Sequence, residues 1–204
     1  MTYTPDFAIH LAWVAWLFSW WLAAAWRKRA VKRPPQLQEF LHLLPTVLGA
    51  VLLFMTHAPA DDPTRQVMNT RHPFFEPIQL WSTPPEAGWA CLGLAIVGFL
   101  FCWWARVTLG ALWSGNITLK SDHRVVDTGP YGLVRHPIYT GLLLAALATA
   151  LEKATVLAFA GVAMITFGLW LKARMEERFL RAELGREAYD AYAGKTPMLI
   201  PIKF

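Results

Sequence analysis

The residues able to do chemistry in this 204-residue chain gather in two short stretches. The first, "DTGPYGLVRHPIYTGLLL" from Asp127 to Leu144, carries Tyr131, Arg135, His136 and Tyr139; the second, "LKARMEERFLRAELGREAYDAY" from Leu171 to Tyr192, carries Lys172, Arg174, Glu176 and Glu177. Imidazole, phenol, carboxylate and cation together can hold a charged or hydroxyl-rich ligand and move a proton. Pro137 suits the first position of a helix and pushes His136 before it into an extended conformation. A helix beginning at Pro137 would aim the N–H groups of Ile138, Tyr139 and Thr140 outward, as a seat for an anionic group. Gly129-Pro130 and Gly132 predict a tight turn that brings Tyr131 to the same helix start. Glu176 sits near the carboxyl end of a helix, where it opposes the macrodipole and is better used on a cationic or hydroxyl-rich ligand. The alternative, that Arg135 and His136 only anchor a helix end among lipid headgroups, stays open at this point.

Arg-His-Pro also occurs at Arg71 to Pro73, in "NTRHPFFEPIQ". Pro77 follows Pro73 by four residues, so no useful helix can begin there, and this copy reads as loop.

The elements that must position these residues are hydrophobic. Of all residues 55% are apolar and 16% charged, against roughly 25% charged in soluble domains, and the apolar ones form long blocks. Lipid admits such blocks only as helices, so the expected fold is an all-α integral membrane protein with about five transmembrane helices. The blocks are 7–26, 41–56, 87–105, 138–151 and 154–171. All 204 residues read as one membrane domain, with amino-terminal spans and an outer loop in 1–86 and the chemistry-bearing core in 87–204. No Lys or Arg precedes the first block and "RKR" follows it, which favours a retained helix over a signal peptide.

Segments 27–40, 106–137 and 172–204 hold sixteen of the nineteen Lys and Arg residues; segments 57–86 and 152–153 hold three. By the positive-inside rule the amino terminus lies outside and the carboxyl terminus, with the chemistry, lies in the cytosol. The Pro-rich segment 57–86 is expected to cap the outer surface, and Glu152-Lys153 to join the last two spans as a tight hairpin. The fourth block, at 14 residues, gives only ~21 Å of helix for ~30 Å of hydrocarbon. After the fifth span, the run from Lys172 reads as a cytosolic amphipathic helix, with Glu177 and Arg181 one turn apart on a solvated face.

Other chemistries find no footing. The six histidines show no ligand-like spacing, so no metal is expected. GxSxG, P-loop and GxGxxG patterns are missing. Cys91 and Cys102 are too far apart along one helix for a disulfide. The net charge of +5 is explained by membrane orientation, so nucleic acid is not an expected partner.

"DHRVVDTGPYGLVRHPIYTG", followed by "EERFLRAELGREAYDAY" and preceded by "RVTLGALWSGNITL", resembles the isoprenylcysteine carboxyl methyltransferase family and its prokaryotic relatives, which are related to phospholipid methyltransferases. The resemblance covers about residues 100–204. It implies an integral membrane methyltransferase using S-adenosylmethionine, in a cytosol-facing pocket made by the last two spans and their flanking segments. Carried over residue by residue, it assigns cofactor binding to His123, Val125, Val126, Tyr131, His136, Pro137, Ile138, Tyr139 and Glu176. A basic residue for the substrate falls to Lys172 or Arg174, with Arg135 a further substrate-binding candidate; a phenol or amine acceptor needs a proton acceptor besides, for which Glu176, Glu177 and His136 are the candidates. Leu184-Gly185 stands where the family usually has Phe-Gly. The acceptor, entering from the bilayer among the membrane lipids, could be a prenylcysteine-like carboxylate, a lipid hydroxyl or a lipid amine. Two other readings stay open: an NADPH-dependent enzyme like the sterol reductases, which resemble this family in their carboxyl-terminal region, and a non-catalytic membrane scaffold.

Overall fold

The computed structural model describes residues 4–26, 36–55, 78–113 and 125–202. The described residues form seven α-helices: α1 (Pro5–Ala23), α2 (Gln36–Met55), α3 (Pro85–Leu109), α4 (Pro130–Leu133), α5 (Pro137–Lys153), α6 (Val156–Leu184) and α7 (Arg186–Lys195). The segments Pro5–Ala23, Pro85–Leu112 and Val156–Glu183 are long and apolar enough to cross a membrane, whereas the apolar part of α2, Leu41–Met55, is shorter. At 17 residues, α5 is ~26 Å long.

Local sequence explains where the helices begin. Thr4 caps α1, its hydroxyl accepting from Phe7 N at 3.3 Å with Pro5 in the first turn, and Thr155 caps α6 by accepting from Ala158 N at 3.2 Å. Prolines also open α3, α4 and α5.

Two close helix pairs carry the packing, α3 against α5 and α2 against α6, joined where α5 meets α6. Glycines let the backbones touch. A Cβ on Gly98 would lie 2.5 Å from the Gly141 carbonyl oxygen, and one on Gly49 would lie 2.6 Å from that of Gly161. Without a hydrophobic drive between helices in lipid, such approach supplies the van der Waals contact. α1 closes the α3–α5 side: Trp16 stacks on Phe99 at 5.5 Å, and Trp13 Nε1 donates to buried Thr149 Oγ1 at 3.0 Å.

The two ends of the bundle differ. At one end, buried Lys153 meets Asp6 at 3.0 Å, and residues 78–83 lie over the α5–α6 turn through Leu80 N to Ala154 O, 2.7 Å, and Val156 N to Ile78 O, 3.0 Å. This is the described part of the expected outer cap; Arg71 to Pro73 lie outside the described residues. At the other end, Arg106 donates to Ala23 O at 2.7 Å and Gly110 O at 2.6 Å, tying the last turns of α1 and α3 together beside the start of α5.

Three expectations change in detail. The α5–α6 hairpin is tight as expected, but the turn falls at Ala154-Thr155, with Ala154 in the left-handed region at φ 52°. The charged run from Lys172 is not a separate interfacial helix: α6 continues through it for 29 residues in all and stops only at Gly185, where φ is 93°. Residues 172–184 are mostly strong helix formers with no Gly or Pro, so nothing breaks the helix as it leaves the apolar block. Finally, Thr140 N donates to His136 O at 3.0 Å, so only Ile138 and Tyr139 at this helix start lack an intrahelical acceptor.

Candidate functional site

The start of α5 and the far part of α6 meet at one end of the bundle. Tyr139, in the first turn of α5, donates its hydroxyl to Glu176 Oε2 at 2.9 Å. His136 stacks on the Tyr139 ring, centroids 5.2 Å apart and planes 3° from parallel, with Nδ1 3.7 Å from Glu176 Oε2. Lys172, one turn before Glu176 on α6, carries its ammonium 5.5 Å from the Tyr139 ring centre, a cation–π contact. The result is a stacked His136–Tyr139 pair with a carboxylate at the Tyr139 hydroxyl and a cation over the Tyr139 ring.

Behind this surface lies a second layer. Glu177, buried, takes Arg135 Nε at 2.7 Å and lies 3.2 Å from His136 Nε2 through the same oxygen, Oε1; Arg181 is 3.6 Å from its other oxygen. Burial alone would push the Glu177 carboxyl up, but hydrogen bonds from His136 and Arg135 and their charge outweigh it and hold it below the ordinary carboxylate range. Arg135 Nη1 donates to the carbonyls of Ala193, at 3.0 Å, and Thr196. His136 is therefore fixed from behind by Glu177 while its other ring nitrogen faces Glu176.

Tyr131 packs against the same region from α4. It is buried, and its carbonyl accepts the Tyr192 hydroxyl at 2.7 Å. Its phenol is held well above the ordinary range, first by burial and then by the Glu176 charge, so it serves as a neutral wall. Gly129, at φ 57°, makes the turn that the Gly-Pro-Tyr-Gly sequence predicts. Cys102 Sγ donates to the Ile138 carbonyl at 3.2 Å, pinning the start of α5 to α3.

Of the residues singled out from sequence, Tyr131, His136, Pro137, Ile138, Tyr139, Lys172 and Glu176 come together here. Val125 and Val126 are half-buried just upstream, and His123 lies outside the described residues. Arg174 faces the opposite way on α6, exposed, with its guanidinium 5.8 Å from the Trp170 ring. Arg135 is turned inward to Glu177 rather than toward an incoming molecule. Glu177 itself corrects the solvated-face reading, because α7 and the residues after it fold back over that face. Arg106 was also missed: it is buried with its guanidinium 4.5 Å from the Trp113 ring. In "WWARVTLG" it counts only among the basic residues that set orientation, and its contact with α1, 83 positions away, gives it a structural role.

The arrangement can hold a cation or hydroxyl groups at Glu176, a carboxylate at the open N–H groups of Ile138 and Tyr139, and a flat or sulfur-bearing group against the stacked rings. Among the described residues no group of three or more His, Cys, Asp or Glu side chains could hold a metal ion.

One family model spans the start of α5 and most of α6. Residues 91–182 match the model of the isoprenylcysteine carboxyl methyltransferase (ICMT) family. A methanethiol S-methyltransferase of a Pseudomonas species is 30% identical over 173 residues, 82% of this chain and 61% of that protein. A probable protein-S-isoprenylcysteine O-methyltransferase of Oryza sativa subsp. indica is 31% identical over 113 residues, 54% of this chain and 59% of that protein. A cobalt-zinc-cadmium resistance protein of Cupriavidus metallidurans is 35% identical over 97 residues, 46% of this chain and 44% of that protein. The chain thus spans no more than about three fifths of the length of these relatives.

Proposed function

We propose, from the match of residues 91–182 to the isoprenylcysteine carboxyl methyltransferase family model, that this chain is a member of that family: a membrane methyltransferase that uses S-adenosylmethionine on a lipophilic acceptor reached from the bilayer. The observation that carries the reading is the Tyr139–Glu176 hydrogen bond, 2.9 Å long, with His136 stacked behind it. The donor set fits the cofactor: a carboxylate for its ammonium or ribose hydroxyls, two helix-start N–H groups for its carboxylate, and aromatic faces for its adenine and sulfonium. When bound, the cofactor supplies a methyl group on sulfur that is transferred by in-line displacement to a nucleophile.

The chain's own work is then to bind, orient and exclude water. Ile138 and Tyr139 N–H groups would hold the carboxylate end, Glu176 the polar end, and His136, Tyr139 and Tyr131 would form the walls; the family resemblance adds His123, Val125 and Val126 as cofactor-binding residues. Glu177 and Arg135 are positioning residues that fix His136. Holding donor and acceptor in line supplies several kcal/mol of the barrier, on the order of what orientation gives elsewhere, and needs no triad. Lys172, edging the site, is the better partner for an anionic acceptor group than Arg174, which faces away. A thiol or hydroxyl acceptor would instead give its proton to Glu176. We read α2 and α5 as further membrane segments, five in all, with the site at the cytosolic face and the amino terminus outside.

The test is transfer of labelled methyl from S-adenosylmethionine. Purified protein in lipid should label one class among prenylcysteine acids, long-chain phenols, phospholipid amines and small thiols. Absence of transfer to all four, with NADPH oxidised in the presence of an unsaturated sterol, would favour the reductase reading.

A further inference from the structure

Residues 196–202 return from α7 and lie along the start of α5 as a strap. Five successive carbonyls of this strap accept hydrogen bonds. Thr196 O takes Arg135 Nη1; Pro197 O takes Arg135 N at 2.8 Å; Met198 O takes His136 N at 3.1 Å. Leu199 O takes Thr140 Oγ1 at 2.6 Å, and Ile200 O takes Ile202 N at 2.7 Å. Thr196 N donates to Tyr192 O at 3.1 Å, and Pro197 and Pro201 have no N–H to satisfy. The amides of Met198, Leu199 and Ile200 find no acceptor among the described residues, so this backbone suits the hydrated boundary of a bilayer, where headgroups and water can accept from them, and not its hydrocarbon core.

The side chains point the same way. Ile200 and Ile202 are 60% and 55% exposed, and Leu133, just before the start of α5, is 49% exposed, although all three are strongly apolar. The strap crosses α5 at Thr140, in its first turn. A helix of 17 residues measures ~26 Å, a few Å short of the ~30 Å of hydrocarbon, and the strap lies at the end of that helix. Lys195 stands immediately before it, exposed, with stem and charge suited to the headgroup level.

We propose that the strap is an in-plane membrane anchor: Ile200 and Ile202 dock into the bilayer at the boundary of headgroups and acyl chains, beside the first turn of the short α5. The bilayer, rather than a second copy of the chain, is the occupant that the short helix and the exposed isoleucines at its end call for. Because the strap's carbonyls are held by the amides of Arg135 and His136, the anchor also fixes the wall of the site to the membrane surface. This inference does not depend on the reaction proposed above.

A fluorophore reports the depth directly. Ile202→Cys in a Cys91→Ser background, with Cys102 wholly buried, is labelled with bimane and reconstituted in phosphatidylcholine vesicles. Its emission should be quenched strongly by lipids brominated high on the acyl chain and weakly by aqueous iodide. The same dye at Glu187→Cys, on the exposed side of α7, should show the reverse. Iodide quenching at 202 equal to that at 187, or resistance to both quenchers as a second copy would cause, overturns the proposal. In a separate measurement, Ile200→Asp with Ile202→Asp should speed hydrogen exchange of the Arg135 and His136 amides severalfold in lipid nanodiscs. Unchanged exchange would contradict the link between anchor and site.

Discussion

The Tyr139 hydroxyl donates to Glu176 Oε2 across 2.9 Å, and this one bond joins the first turn of α5 to α6 at positions 37 residues apart. It turns a helix start and a helix tail into the two sides of one site.

Removing either side should weaken cofactor binding to different degrees. Glu176→Ala deletes the charged acceptor, worth about 1.5–3 kcal/mol in hydrogen bonds to charge, so S-adenosylhomocysteine affinity should fall ~10- to 100-fold. Tyr139→Phe keeps the ring and loses a single hydroxyl, for a fall of roughly 3- to 10-fold. Calorimetric titration of the two variants gives the order directly.

Glu177 should matter first for folding. Taking one partner out of a buried ionic cluster leaves Arg135 and His136 uncompensated, a loss on the order of 3–5 kcal/mol, and Glu177→Ala should therefore lower the melting temperature in detergent sharply. Glu177→Gln, which keeps shape and one acceptor, should fall between the variant and the natural protein.

The same group sets an acid limit. Its folded pKa is depressed, so the stability it contributes is present above the unfolded carboxylate value of about 4.3 and is lost as pH falls through the lower folded value. Thermal melts taken downward from pH 5 should lose stability progressively. Glu177→Gln should start lower and show a shallower decline over that window.

Two glycines test the packing. Gly98→Ala drives a methyl to 2.5 Å from the Gly141 carbonyl oxygen and should cost about 1–3 kcal/mol in melting assays, as overpacking does. Gly93→Ala, five residues earlier on the same helix with nothing within 4 Å, should be neutral or slightly stabilising.

Much of the site could be read from the residues because the signals are local. Pro137 marks the start of α5, Gly129-Pro130 marks the turn before it, and a two-residue hairpin forces Glu176 back beside that start. What escaped sequence reasoning depends on chain returning from afar. Glu177 looks solvated until residues 186–199 fold over it, Arg135 looks like a headgroup anchor until Ala193 and Thr196 offer their carbonyls, and Arg106 is one orienting charge among others until Ala23 arrives. Lys172 and Arg174 could not be separated by type or spacing from the span end. Two positions apart on a helix, they face opposite sides, and only the location of Tyr139 tells which side is the site.

The most direct measurement is calorimetric titration of the lipid-reconstituted protein with S-adenosylhomocysteine and, separately, with NADPH. Saturable S-adenosylhomocysteine binding that Glu176→Ala weakens and Arg174→Ala leaves intact is the predicted result. Binding of NADPH without S-adenosylhomocysteine, or S-adenosylhomocysteine binding indifferent to Glu176, would contradict the account.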